Sequence, residues 1–163
     1  MEEELLRKID AAYRRLEEKR AQVVCALKAA GLETASGWYN GHLHRDEKKE
    51  WVEEAYPIPV VSARALCDVE IHFDRITVTA KRTREEALTD SLEAFAKESF
   101  EVYGVEDDRT DFFHPGQTVQ TMREKICASG EREVFFSFAF PFERQEESIA
   151  DFILYLRSRG FYY

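Results

Sequence analysis

Residues 67 to 82 constrain the fold most, because apolar and polar residues alternate there on both sides of a short turn. A period of two places all the apolar side chains of a strand on one face of a sheet. We predict a β-hairpin with a two-residue turn at Asp74 and Arg75. The pairs expected on its apolar face are Phe73 with Ile76, Ile71 with Val78, and Val69 with Ala80. That face needs a covering layer, so the chain must fold as more than a hairpin.

Residues 2–31 predict one long amphipathic helix, whose apolar residues recur at steps of three and four. The stripe consists of Leu5, Ile9, Ala12, Leu16, Val23, Leu27 and Ala30. Lys19 and Arg20 interrupt it, and Gly31 followed by Leu32 is typical of a helix end. Such a helix is about 40–45 Å long, so we expect part of it to extend beyond the domain. We expect the apolar stripe to pack on the domain's own sheet, and the alternative is a helix that forms a homodimer or binds a partner.

Two weaker strands are predicted between that helix and the hairpin, over residues 38–43 and 56–61. Pro57 and Pro59 lie in the second strand. Proline lacks the N–H that a sheet needs, so we expect this strand at an edge.

Helices and one further strand are predicted after the hairpin. The Thr83-x-x-Glu86 pattern is a capping box, and it predicts a helix from there to Gly104. A short helix follows, with Val119, Met122 and Ile126 directed inward. Residues 134–140 carry apolar residues on both faces and predict a central strand. The last helix, 146–159, is expected to bury four apolar residues and to end at Gly160 and Phe161. The four are Ile149, Phe152, Ile153 and Leu156.

These elements predict a single α+β domain over residues 1–163. An antiparallel sheet of about three to five strands is packed by the long N-terminal helix (1–32), an acidic central helix and a C-terminal helix. No apolar run reaches the roughly 18 residues of a membrane span. The N-terminus is acidic, unlike a signal peptide, so we expect a cytoplasmic protein without membrane contact.

The negative charge of the chain is concentrated in one segment. The formal net charge is -9, and ten acidic residues but only two basic ones lie between Glu85 and Asp111. A negative surface disfavours direct binding of nucleic acid and of anionic lipid. A basic group in the first helix leaves nucleic-acid contact open there: Arg14, Arg15, Lys19 and Arg20.

We expect the acidic segment to bind a protein partner with a basic surface. The predicted partner-binding residues are Glu86, Asp90, Glu93, Glu101, Glu106, Asp107, Asp108 and Asp111. The function favoured by this pattern is that of a non-catalytic cytosolic protein that binds or inhibits its partner. Immunity proteins, antitoxins, secretion chaperones and phage-encoded inhibitors share this size and charge, an analogy of composition alone.

The alternative is a metal-dependent enzyme or a metal-binding protein. His42 and His44 would lie on one side of a strand, and Asp46 follows at the same spacing. His114 and Asp111 could complete such a site from a distance.

Other chemistry finds little support in the sequence. It contains no phosphate-binding glycine loop, no dinucleotide-binding motif and no G-x-S-x-G elbow. Cys25, Cys67 and Cys127 form no C-x-x-C pair, which indicates free thiols. We therefore assign no catalytic residue and expect no cofactor.

Overall fold

The computed structural model describes residues 2–39, 43–45, 51–53, 57–105, 119–129 and 132–163. Its helices are α1 (Glu2–Ala29), α2 (Arg84–Thr89), α3 (Leu92–Tyr103), α4 (Val119–Ser129) and α5 (Glu146–Ser158). Its strands are β1 (Thr34–Tyr39), β2 (Leu43–Arg45), β3 (Trp51–Glu53), β4 (Ile58–Ala63), β5 (Cys67–Ile71), β6 (Arg75–Thr83) and β7 (Glu133–Pro141). The predicted α+β class is confirmed.

Five strands form one antiparallel sheet in the order β1-β4-β5-β6-β7, while β2 and β3 form a separate antiparallel pair. The prediction that the proline-containing strand lies at an edge is wrong, because β1 covers β4 on its outer side. β4 pairs with β5 only from Val60 onward, whereas Pro59 is paired with Trp38 of β1. Pro59 therefore lies where β4 has one neighbouring strand, and its missing N–H interrupts no pairing with β5.

The predicted hairpin is present as β5 and β6, but its register differs by two residues. Ile71 pairs with Ile76, and Val69 pairs with Val78. The turn lies one residue earlier than predicted, and the His72 N–H donates to the Arg75 carbonyl across it. Because side chains alternate with a period of two, a two-residue shift leaves every side chain on its predicted face. The strand residues of the apolar face are buried as expected, namely Val69, Ile71, Ile76, Val78 and Ala80, whereas Phe73 in the turn is only partly buried.

β7 lies at the end of the sheet order and pairs with β6 along its whole length. The prediction of a central strand is therefore wrong. Phe136, Phe138 and Phe140 are buried on the helix side, but Phe135 on the other face is 63% exposed. The prediction took apolar residues on both faces to mean that both faces are buried. An aromatic side chain such as Phe135 can instead remain exposed to solvent on the outer face of the sheet.

The core lies between the apolar face of the sheet and the helices. α1 contacts β4 and β5, and α5 contacts both α1 and α3. Phe138 packs edge-on against Phe95 of α3 and Phe152 of α5. The predicted buried residues of α5 are confirmed, and Ile126 of α4 is buried as well. Among the described residues, no helix combines the length and the apolar character that crossing a membrane requires.

The N-terminal helix is buried over only part of its length. Its 28 residues span about 42 Å. Residues 2–11 are all exposed, whereas Leu16, Val23 and Leu27 are fully buried. The Leu32 N–H donates to the Leu27 carbonyl at 3.0 Å, which closes the helix at Gly31 as the sequence indicates.

Candidate functional site

The acidic segment between Thr83 and Gly104 forms two helices, not the one continuous helix predicted. Asp90 has an extended backbone (φ -82°, ψ 149°) and ends α2, and the Ser91 hydroxyl accepts from the Ala94 N–H to begin α3. The Thr83 hydroxyl caps α2 by accepting from the Glu86 N–H at 3.2 Å, which is half of the predicted capping box. The carboxylates of α2 and α3 therefore do not share one helical face.

Asp90 joins three arginines from different elements. Its carboxylate accepts from Arg82 Nη1 at 3.1 Å and lies 3.5 Å from Arg159 Nη1. Its backbone carbonyl accepts from Arg123 Nη2 at 2.6 Å. The Arg82 side chain is only 4% exposed and that of Asp90 16%. Since a buried cation needs its counter-charge, Asp90 holds the fold together at the α2–α3 junction and offers little charge to a partner.

The other predicted partner-binding residues in this part of the fold point outward. Glu86, Glu93 and Glu101 are exposed, and so is Glu85. The sequence did not single out Phe100, which is 53% exposed on α3. Glu93 and Phe100 are seven residues apart and therefore lie on the same side of that helix. We refer to Glu85, Glu86, Glu93, Phe100 and Glu101 as the α2–α3 surface.

Glu98 is also exposed, but its carboxylate is held by Tyr155 and Arg159. Tyr155 of α5 donates to Glu98 at 2.8 Å, and Arg159 Nε donates to the Tyr155 hydroxyl at 3.2 Å. Burial, followed by the hydrogen bond to Glu98, raises the pKa of Tyr155 to about 12. This contact ties α3 to α5 and fixes the orientation of the α2–α3 surface on the sheet.

Several predicted residues lie outside the described part of the chain: Glu106, Asp107, Asp108 and Asp111 of the acidic segment, and His42, Asp46 and His114 of the alternative metal site. His44 lies on β2, where only the backbone is described. Among the described residues, no group of three or more His, Cys, Asp or Glu side chains could hold a metal ion. The metal site of the alternative function stays a prediction.

The basic residues of α1 are largely engaged within the fold. Lys19 Nζ donates to the Arg144 carbonyl at 2.8 Å and to Glu146 at 2.6 Å. The Arg15 guanidinium lies 3.7 Å from the centre of the Phe142 ring, and that of Arg20 lies 5.0 Å from the Trp38 ring. These contacts fix three of the four cations on apolar or acidic neighbours, which weakens the case for a nucleic-acid surface.

A second feature that the sequence did not reveal is a groove between α1 and α5, with a volume of about 660 Å³. Its residues come from two helices that are 116 positions or more apart in the chain. The lining residues are Ala21, Gln22, Cys25, Ala26, Ala29, Ala30, Glu146, Glu147, Ala150 and Asp151. No local pattern in the sequence pairs the small residues of α1 with the carboxylates of α5.

Comparison with known proteins identifies the fold and nothing further. The sequence matches no protein-family model and no curated protein. A solved structure of a conserved hypothetical protein from Pyrococcus furiosus is similar, with a TM-score of 0.67 and 18% sequence identity. The similarity covers 94% of this chain and 98% of that one. The fold therefore recurs in a protein of very different sequence.

Proposed function

We propose that this chain is a non-catalytic cytosolic interaction protein that binds a basic protein partner through the α2–α3 surface. The observation that carries the proposal is the position of exposed carboxylates beside an exposed aromatic side chain. Glu93 and Phe100 share one side of α3, and Glu101 follows directly. Protein interfaces combine aromatic anchors with charged rims that steer the partner.

The stable attachment of this surface also supports the proposal. Asp90 and Glu98 tie α2 and α3 to Arg82, Arg159 and Tyr155. A surface held in place before binding loses less conformational entropy when a partner docks. The predicted partner-binding residues Glu106, Asp107, Asp108 and Asp111 follow α3 in the sequence and add negative charge to the same segment of the chain.

The test is a charge reversal that spares Asp90, whose replacement would disturb the fold. We expect a Glu86→Lys, Glu93→Lys, Glu101→Lys variant to lose a partner that the wild-type chain captures from the lysate of its host. Wild-type capture should weaken as salt is raised, because exposed charges are screened over about 10 Å at 0.1 M ionic strength.

The matched control reverses three exposed glutamates of α1, in a Glu3→Lys, Glu17→Lys, Glu18→Lys variant with the same change in net charge. It should capture the partner like the wild type. Equal capture by the two variants, with equal dependence on salt, would contradict the proposal. Thermal unfolding of all three proteins shows whether each variant is folded.

A further inference from the structure

We propose that the groove between α1 and α5 is a docking site for an amphipathic helix with a basic edge, contributed by a partner protein. This groove lies between α1 and α5, and none of its lining residues belongs to the α2–α3 surface. The inference thus concerns a second surface and does not depend on the proposed function.

Apart from Gln22, the side chains that form the α1 wall of the groove are short. Ala21, Cys25 and Ala29 follow one another at intervals of four residues and are all exposed. Residues at this spacing form a ridge along one side of a helix. Because these side chains are short, the backbone of another helix can approach α1 closely, at the lower end of the usual 8–10 Å axial separation.

The α5 wall is negative, and one of its three carboxylates has a counter-charge in the described part of the chain. Glu146 is paired with Lys19 at 2.6 Å. Glu147 and Asp151 are exposed, and neither forms an ion pair with any residue in the described part of the chain. A lysine or arginine on a docked helix would supply the missing positive charge along this wall only. The complementary helix therefore has an apolar face of small residues and one basic edge.

The shape of the groove favours a helix over a small molecule. Sites for small molecules enclose most of the ligand surface. Here the walls are two neighbouring helices, and exposed residues line both of them: Ala21, Cys25 and Ala29 on α1, and Glu147 and Asp151 on α5. An apolar helix face laid between two helices is a common mode of peptide recognition.

Cys25 reports directly on whether the groove is occupied. It is exposed, Cys67 is buried, and Cys127 is exposed on α4. In a Cys127→Ser variant Cys25 is therefore the one exposed thiol.

The probe is a synthetic helical peptide of about 18 residues, or five turns, with alanine and leucine on one face and lysines along one edge. We expect saturating peptide to slow the reaction of Cys25 with a disulfide reagent at least about tenfold, because a covered thiol cannot be attacked. A peptide with glutamates in place of the lysines should leave the rate unchanged.

Two groove variants and two matched controls locate the binding. Ala29→Trp fills the groove, and Glu147→Lys with Asp151→Lys reverses its negative wall; both should weaken peptide binding at least about tenfold, which corresponds to about 1.4 kcal/mol. Ala11→Trp, at an exposed alanine of the same helix, and Glu3→Lys with Glu18→Lys should bind the peptide normally.

The inference would be overturned by an unprotected Cys25, by equal binding of the lysine and glutamate peptides, or by equal binding of the peptide to groove and control variants. Protection of Cys25 that rises with protein concentration in the absence of peptide would also overturn it, since a second copy would then be the occupant. None of these results alters capture through the α2–α3 surface, so the two proposals fail separately.

Discussion

At the scale of single residues, Lys19 shows how a charged side chain can belong to a helix face that otherwise packs in the core. Leu16, Lys19, Val23 and Leu27 are the buried residues of α1 and follow its period of three and four. The sequence marks Lys19 as an interruption of the apolar stripe. The fold accommodates it with the Glu146 carboxylate and the Arg144 carbonyl, both more than 120 positions away in the chain.

We expect Glu146→Ala to lower the free energy of unfolding by about 2–3 kcal/mol, because it leaves the Lys19 ammonium without its counter-charge. The Lys19 side chain is 7% exposed and that of Glu146 18%, so the loss should stay below the range for a fully buried pair. Urea denaturation at pH 7 measures the change. The neighbouring Glu147→Ala, at an exposed site, should change it by less than about 0.5 kcal/mol. Equal effects of the two substitutions would contradict this role of Lys19.

The same ion pair predicts a dependence on pH. Burial alone would raise the pKa of Glu146. The hydrogen bond from Lys19, a backbone hydrogen bond and the Lys19 charge together outweigh burial, so the pKa of Glu146 is lowered. A carboxyl group with a lowered pKa stabilises the folded state above its unfolded pKa of about 4.3, and this contribution is lost as the pH falls through the folded value. The stability difference between wild type and Glu146→Gln should therefore shrink below pH 4.3. A difference that stays constant to lower pH would exclude this linkage.

Cys67 should behave unlike the other two thiols. Burial, with a smaller contribution from the negative charge of Asp68, raises its pKa to about 12. The thiolate is the reactive form, so at pH 8 we expect a disulfide reagent to modify Cys25 and Cys127 quickly and Cys67 only after denaturant is added. Rapid modification of three thiols in the folded protein would contradict the buried position of Cys67.

At the scale of elements, the helix ends follow closely from local sequence. Gly31 and Gly160 both have a left-handed backbone, with φ of 84° and 83°. In each case the next residue donates its N–H to the helix, Leu32 to Leu27 and Phe161 to Leu156. These bonds lie within a few residues of the chain, so a glycine followed by an apolar residue is sufficient to predict them.

The two glycines should respond alike to alanine. Gly31→Ala should cost about 1 kcal/mol for the left-handed backbone alone, since a Cβ there meets nothing within 4 Å. A Cβ at Gly160 would meet the Glu86 carboxylate, but this is the end of a flexible, exposed side chain that can move aside, so Gly160→Ala should cost about as much. Denaturation of Gly160→Ala alone and in a Glu86→Ala background provides the check. An extra cost that disappears in that background would contradict the expectation that Glu86 moves aside.

The register of the β5–β6 hairpin and the break between α2 and α3 were not predictable in this local way. Two registers place the same residues on the apolar face of the hairpin, and the turn contains no glycine that would select one of them. The α2–α3 break depends on Asp90, whose partners Arg82, Arg123 and Arg159 lie on three other parts of the fold. Helical periodicity carries no information about such distant partners.

At the scale of the whole molecule, the helical layer covers only part of α1. The side chains of residues 2–11 are exposed, including Leu5, Leu6 and Ile9. The homodimer suggested by the apolar stripe of this helix stays a prediction. Substitutions along the stripe test whether its exposed part is free or is covered by a second chain.

We expect Leu16→Ala to cost about 3 kcal/mol, because Leu16 is fully buried. Ile9→Ala should cost less than about 0.5 kcal/mol, because this residue is 43% exposed. Thermal or urea unfolding at two protein concentrations measures both. A cost for Ile9→Ala that increases with protein concentration would mean that a second chain covers this part of the helix.

The sequence by itself determined the α+β class, the extent of α1 and α5, both glycine-capped helix ends, and the faces of the β5–β6 hairpin. Each of these follows from periodicity or from bonds between residues close in the chain. Only the tertiary structure decided the strand order, with β4 inside the sheet and β7 at its end, the burial of Lys19, and the arginine contacts of Asp90. It also brought α1 and α5 together as the walls of one groove. These features depend on which distant elements become neighbours, and a local pattern of residues does not encode that choice.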